Sequence, residues 1–488
     1  MQVKSVKYNF LMDFILKVSA FVFPLITFPY ASRILLPDGI GRVSFATSVI
    51  SYFQMVAMLG IPTYGIRACA KVRDDKEKLT RVVQELAVIN LVTTAVVYVA
   101  FFISVFTVKS FEEEKLLLII TSANILLNTI GFNWLYTALE QYKYITVRSL
   151  FFKVLSVIAL FAFVHHKEDY LIYASISVLS GVGSNIFNLI NIRKFIYLKP
   201  VGGYGFKQHI TPILVLFAMC AAGSVYTHLD TVMLGFMNTD VEVGYYTAAV
   251  KMKNILLSLI VSLGGVMLPR LSYYIQNNKQ KEFNKMSAKA FNVIIYISVP
   301  VAVYFSIFSK ECISFLSGEA FLPATAAMQV IMPTVVLVGL TNMMGYQILV
   351  PTNKESKVLV SVIVGAVVDT ILNAVFIPKY GALGAAIGTL AAETAVLIVQ
   401  LIYLRDYIRN VIEEIKINYL IVPMGIALIS AVLIKIFINA GAFIVLAISA
   451  LLFFGIYAVG FLIQKEPIIS GLVQDCLGYV RKLLKKDK

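Results

Sequence analysis

Apolar runs of about 20 residues follow one another along nearly the whole chain, and this succession limits the fold more than any single motif. A helix crossing the hydrocarbon core of a bilayer needs about 20 residues, because each residue adds only ~1.5 Å of rise. Such runs fall at 10–32, 43–66, 83–108, 116–139, 149–165, 170–191, 210–236, 243–269, 289–308, 324–348, 357–377, 382–404, 418–438 and 441–463. Fourteen helices with short connections use up almost all of the 488 residues and leave no room for a sizeable soluble domain. With 59% hydrophobic and 14% charged residues, the chain has too little polar surface to cover a soluble globule. The expected fold is an all-α polytopic membrane protein. The first run carries Asp13 and Lys17 and lacks a clear small-residue cleavage site, so it reads as a permanent helix. No P-loop motif occurs, and ATP is not expected to drive the chain directly.

The basic residues fix the expected topology. With the N-terminus inside, 30 of the 42 lysines and arginines fall on the inner connections and tail, and only seven on the outer ones. Positively charged loops stay cytoplasmic, so the split predicts fourteen crossings with both termini inside. It also accounts for the net charge of +15 without invoking nucleic acid. Of the four cysteines, Cys312 alone falls outside, and no CxxC or metal-ligand spacing occurs. The tail from 465 has apolar residues at helical spacing and basic residues at its end. It is expected either to lie on the inner membrane surface or to anchor the last helix.

An internal echo organises the chain. Residues 33–50 (RILLPDGIGRVSFATSVI) and 230–252 (DTVMLGFMNTDVEVGYYTAAVKM) each pair a polar residue near a helix end with an Asp-containing turn and a Gly before an aromatic and small-residue run. Gly41 aligns with Gly244, and Ala46 falls close to Ala248. Helix 1 thus repeats at helix 7, as in transporters built from structural repeats. The expected organisation is an N-lobe at 1–208, a C-lobe at 209–405, two further helices at 406–464 and a basic cytoplasmic tail at 465–488.

Charges at bilayer depth are costly and usually face a protein interior or a water-filled cavity. Asp13 and Lys17 are four apart and share a helix face. Asp369, with Asn373 one turn on, and Glu393 lie mid-span, and Glu85 lies near an inner end. A hydrogen-bonded or paired interior position is the competing reading for each. Lys153 and Lys435 lie near span ends and read as snorkelling. Lys251 and Lys253 sit roughly 12–15 Å below the outer end and about 200° apart, so one of them faces the cavity. Asp230 enters from the same side and is a candidate partner for that lysine. Arg33 and Arg42 bracket the corresponding turn of the first lobe. A cavity with this excess of positive charge suits a phosphate or diphosphate head group. No catalytic constellation, metal-ligand spacing or cofactor motif is present.

Residues 131–148 (GFNWLYTALEQYKYITVR) are similar to the Trp-Leu-Phe-Gln-Gly-x-Glu stretch of polysaccharide repeat-unit flippases: Trp134, Leu135, Glu140, Tyr144, Ile145 and Arg148 match, while Thr137 and Ala138 replace the usual Gln-Gly. FPYASRILLPDGIG resembles that family's Pro-x-x-x-Arg-x-Leu-Gly turn, with Leu36 where Gly is usual. VGYYTAAVK at 243–251 and IPKYGALGAAIGT at 377–389 also resemble it. The family belongs to the multidrug/oligosaccharidyl-lipid/polysaccharide exporter superfamily. The resemblance implies two pseudosymmetric six-helix bundles around a central cavity, working by alternating access. It also implies an undecaprenyl-diphosphate-linked oligosaccharide as substrate, moved from the inner to the outer leaflet for capsule, exopolysaccharide or O-antigen assembly.

The resulting expectation is a non-enzymatic flippase of a bacterial cytoplasmic membrane. Lys251, Arg33, Arg42, Lys17 and Lys253 are the candidates for the substrate, Lys251 ahead of Lys253 by position in the family pattern. Asp230, Asp369 and Glu393 are the candidates for a coupling H+ or Na+. Expected partners are the lipid-linked oligosaccharide, membrane lipids, and a polysaccharide polymerase with glycosyltransferases. The rivals are a lipid II-type precursor flippase and a cation-coupled multidrug antiporter. A membrane glycosyltransferase or polymerase would need a larger outer loop than the ~15 residues available here.

Overall fold

The computed structural model describes residues 6–411, 414–438, 440–464 and 466, so apart from Glu466 the basic tail lies outside the described residues. Helices dominate, and no strand occurs among the described residues. Fifteen of them serve to describe the fold. They are α1 (Val6–Met58), α2 (Ile61–Val72), α3 (Lys76–Thr107), α4 (Lys115–Thr129), α5 (Asn133–Ala138), α6 (Tyr142–Phe163), α7 (Tyr170–Val178) and α8 (Lys207–Met237). They continue with α9 (Asp240–Gln276), α10 (Gln280–Ile307), α11 (Ala324–Ile331), α12 (Thr334–Asn342), α13 (Glu355–Tyr403), α14 (Asn418–Phe437) and α15 (Ala442–Ile463).

Ten stretches among the described residues are long and apolar enough to cross a membrane. Two of these each hold two of the expected runs, joined across a break. In α1 the break is at Leu36, with φ 59° and ψ 177°. Pro37 follows it, and a proline ring pushes the preceding residue out of the α conformation. In α13 the break is at Gly381, with φ 53°, and the Ala382 N–H freed there donates to Glu242 Oε2 at 2.7 Å. The side chains facing outward are apolar: Leu451 and Phe437 are each 77% exposed and Ile463 75%. In water such a belt would drive aggregation; in lipid it is the favourable surface. The protein is an all-α polytopic membrane protein.

The chain forms two compact units. The first comprises Met1–Thr247, Leu316–Ala320 and Ile377–Ala382, so α8 and the start of α9 fall within it. Within it α1 packs against α3, α4, α6, α7 and α8. Asp75 caps α3 by accepting from the backbone N–H groups of Glu77 and Lys78, bonds that hold its carboxyl below the usual carboxylate range. The second unit comprises Ala248–Phe315, Phe321–Phe376 and Leu383–Lys488, with α10 packed against α11, α12, α14 and α15. The helical hairpin α14–α15 is tied to α10 by Tyr304, whose hydroxyl donates to the Leu446 carbonyl at 2.9 Å, and by Tyr457, which donates to the Tyr296 carbonyl at 2.8 Å.

Candidate functional site

In the first unit a cavity of about 390 Å³ is lined by Ser51, Gln54, Met55 and Met58 of α1, Pro62 and Thr63 of α2, Asn128 of α4, Asn133 and Trp134 of α5, and Ser224 and His228 of α8. The local chain geometry explains how these meet. Leu59 (φ 46°) ends α1, and Gly60 and Pro62 restart the chain as α2. Phe132 (φ 46°) breaks the path between α4 and α5, turning Trp134 into the unit's interior. Histidine aside, the lining is uncharged. The side chains of Gln54, Thr63 and Ser224 and the Trp134 indole N–H have no hydrogen-bond partner among the described residues. A wall of unspent neutral donors and acceptors beside an aromatic ring matches a hydroxyl-rich ligand better than an ion.

The motif residues around Trp134 turn out to be its scaffold. Arg148, 8% exposed, donates from Nη2 to Asn133 Oδ1 at 3.0 Å and from Nη1 to the Ser184 carbonyl at 3.2 Å. Asn188 donates to the same Asn133 oxygen at 3.0 Å and to the Gly131 carbonyl at 2.5 Å. Glu140 accepts from Arg73 at 2.8 Å and from Asn9 at 3.2 Å. Tyr144 donates to the Phe187 carbonyl at 3.0 Å. These bonds fix both ends of α5 and with them the indole.

None of the eight charged residues expected from the sequence lines this cavity. Lys17 forms the ion pair its spacing predicts, 2.6 Å from Asp13, with its side chain 72% exposed. Arg33 is exposed and donates to the Pro29 carbonyl at 2.7 Å. Arg42 is held by Asp38 at 3.0 Å and Glu114 at 2.5 Å, with Asp240 at 4.0 Å. Burial pushes the Glu114 carboxyl above its ordinary value and Arg42 pulls it back. The two aligned turns meet here: a Cβ on Gly41 would overlap the Asp240 carbonyl, and one on Gly244 the Pro37 carbonyl. Asp230 is buried and accepts from the Tyr246 hydroxyl, which joins α8 to α9.

In the second unit Lys251 and Lys253 are half-buried on α9. Asp369 and Glu393 are both buried on α13. Asp369 and Asn373 face Gly388, where an added Cβ would sit 3.1 Å from Asp369 Oδ1 and would overlap Asn373 Oδ1. Among the described residues no group of three or more His, Cys, Asp or Glu is arranged to hold a metal ion. One reading of a single residue changes, and one interior reading holds. Lys153, expected to snorkel, donates to Ser19 Oγ at 2.8 Å, because α1 brings a hydroxyl within reach. Glu85 is hydrogen-bonded internally, to His209 and to the Gly205 N–H.

Sequence reasoning weighed charges and passed over neutral polar residues. Gln54, Thr63, Asn128 and Ser224 carry no motif, and only the packing of four helices brings them together. A sole tryptophan in a membrane chain was the available signal.

Comparison with known proteins agrees with the fold. The chain is 24% identical over 415 residues to a putative O-antigen transporter of Escherichia coli K12, covering 82% of this chain and 97% of that one. A lipid II flippase MurJ structure in an inward closed conformation superposes with a TM-score of 0.66 at 18% identity, over 92% of this chain and 99% of that one. An inward-facing MATE family multidrug transporter of the MOP superfamily gives 0.63 at 14% identity, over 80% and 95%. Residues 6–275, more than half of the chain, match the model of the polysaccharide biosynthesis protein family, and the chain belongs to that family.

Proposed function

We propose that this protein is a flippase that moves an undecaprenyl-diphosphate-linked oligosaccharide from the inner to the outer leaflet of a bacterial cytoplasmic membrane. It supplies cell-surface polysaccharide assembly and crosses the membrane fourteen times, with both termini cytoplasmic. It works by alternating access between two six-helix lobes and is coupled to an H+ or Na+ gradient.

The observation that carries this reading is the neutral cavity around Trp134. Sugars are recognised by amides, hydroxyls and aromatic faces, and Gln54, Thr63, Asn128, Ser224 and Trp134 supply that set. A cavity for lipophilic drug cations would favour carboxylates, and none lines this one. The family membership and the relative named as an O-antigen transporter support the same substrate class. The likeness to MurJ keeps a lipid II-type substrate as the nearest rival, since it too carries sugars on a polyprenyl diphosphate.

Lys251, Arg33, Lys17 and Lys253 are the proposed contacts for the diphosphate and glycan. Arg42, held by carboxylates, joins them when its turn opens. Asp230, Asp369 and Glu393 take the coupling cation. Trp134 is the sole tryptophan, so its fluorescence reports on this cavity. An undecaprenyl-diphosphate-linked oligosaccharide is expected to change that emission, and sugar-free undecaprenyl diphosphate to leave it unchanged. An equal response to both would remove the glycan from this site.

A further inference from the structure

We infer that a second cavity of the first unit, between α2 and the start of α8, binds the phosphate head group of an anionic lipid. The cavity measures about 600 Å³. One side of its lining is cationic: Arg67 and Lys71, four residues apart, share one face of α2. Neither makes an ion pair among the described residues. Their neighbours are committed elsewhere, Arg73 to Glu140 at 2.8 Å, Lys78 to Asp75 at 3.2 Å and Arg81 to Glu77 at 3.6 Å. The α8 part of the lining includes the apolar Val215 and Leu216, and Val215 is 58% exposed among the outward-facing apolar side chains. Unspent cations next to an apolar, lipid-facing wall match a molecule with a phosphate at one end and a hydrocarbon chain at the other.

The cavity is preformed. His209 of α8 ties that helix to α2 and α3, Nδ1 to the Tyr64 hydroxyl at 2.8 Å and Nε2 to Glu85 Oε2 at 2.6 Å. Glu85 also accepts the Gly205 N–H at 2.5 Å. Glu85 and His209 are buried, at 1% and 4% side-chain exposure. The Glu85 carboxylate is thus taken up by an imidazole and a backbone amide and makes no ion pair with Arg67 or Lys71. Gln208 adds an amide to the lining.

Native mass spectrometry of the detergent-solubilised full chain tests the site. The probes are dioctanoyl phosphatidylglycerol, dioctanoyl phosphatidylcholine and farnesyl diphosphate. The wild-type protein is expected to retain the phosphatidylglycerol or the farnesyl diphosphate in preference to phosphatidylcholine. Arg67→Gln with Lys71→Gln should weaken that retention about 30-fold, the scale of two lost charge contacts at a membrane surface. Both side chains are exposed, so the double variant is expected to fold. Lys76→Gln with Lys78→Gln removes the same charge from the start of α3 and should leave retention unchanged. Retention of both anionic probes identifies a membrane phospholipid site, and retention of farnesyl diphosphate alone identifies the substrate carrier's diphosphate. Equal retention of phosphatidylcholine, or an equal loss in the Lys76/Lys78 variant, would overturn the proposal.

Discussion

Gly41 and Gly244 pack reciprocally: the backbone of Asp240 occupies the space a side chain on Gly41 would need, and the backbone of Pro37 the space needed by one on Gly244. These are the two glycines that the internal echo aligns. Pro37 and Asp240 each lie four residues before their own glycine, so the contact is made twice, once from each of the two aligned turns. The ion cluster of Arg42 with Asp38, Glu114 and Asp240 stands beside it.

Any side chain at either glycine must separate the turns. Gly41→Ala and Gly244→Ala are each expected to lower stability by about 1–3 kcal/mol, the usual cost of overpacking. Thermal unfolding in detergent measures it. Unchanged melting in both variants would mean that the turns do not rely on this contact.

Leu36 occupies a backbone region (φ 59°, ψ 177°) that essentially only glycine enters without strain. Its side chain is 38% exposed, so little packing is lost on truncation. Strain relief of about 1–3 kcal/mol exceeds the ~0.5–1 kcal/mol entropic cost of a glycine. Leu36→Gly should therefore stabilise the protein by about 1 kcal/mol, read as a higher melting temperature. A lower one would contradict the strained turn.

Gln54 and Ser224 carry hydrogen-bonding groups with no partner among the described residues, so their removal costs the fold little. Gln54→Ala and Ser224→Ala should each weaken binding of the lipid-linked oligosaccharide about two- to tenfold, the worth of one neutral hydrogen bond. Titrating Trp134 fluorescence measures this, and wild-type affinity in both variants would remove these side chains from the site.

Arg148 lies buried and donates to Asn133 and to Ser184, with Asn188 sharing the same acceptor. Arg148→Ala leaves those acceptors short of a donor and should cost about 2 kcal/mol. It should also shift the emission of Trp134, because Asn133 is the neighbouring residue. A destabilised variant with unaltered emission would show that the network does not set the indole.

Most of the fold was legible because lipid makes the outward face apolar, so hydropathy reports the helices directly. The breaks were partly legible. Pro37 marked the first, but the positive φ at Leu36 is visible only as a departure from the family's glycine. Trp134 and Arg148 were legible as a motif and not as a scaffold, since the partners Ser184 and Asn188 lie on a separate segment 36–55 residues on. The cavity itself was not legible. Gln54, Thr63 and Ser224 are ordinary residues in helices, and their convergence depends on the turns at Leu59 and Phe132.

The most direct test is leaflet-resolved transport in proteoliposomes carrying a labelled undecaprenyl-diphosphate-linked oligosaccharide. The wild-type protein should move the glycan to the opposite leaflet faster than protein-free liposomes, and an imposed ion gradient should accelerate it. Asp369→Asn should bind the glycan normally yet lose that acceleration. Wild-type protein that moves the glycan no faster than empty liposomes, with or without a gradient, would contradict the account.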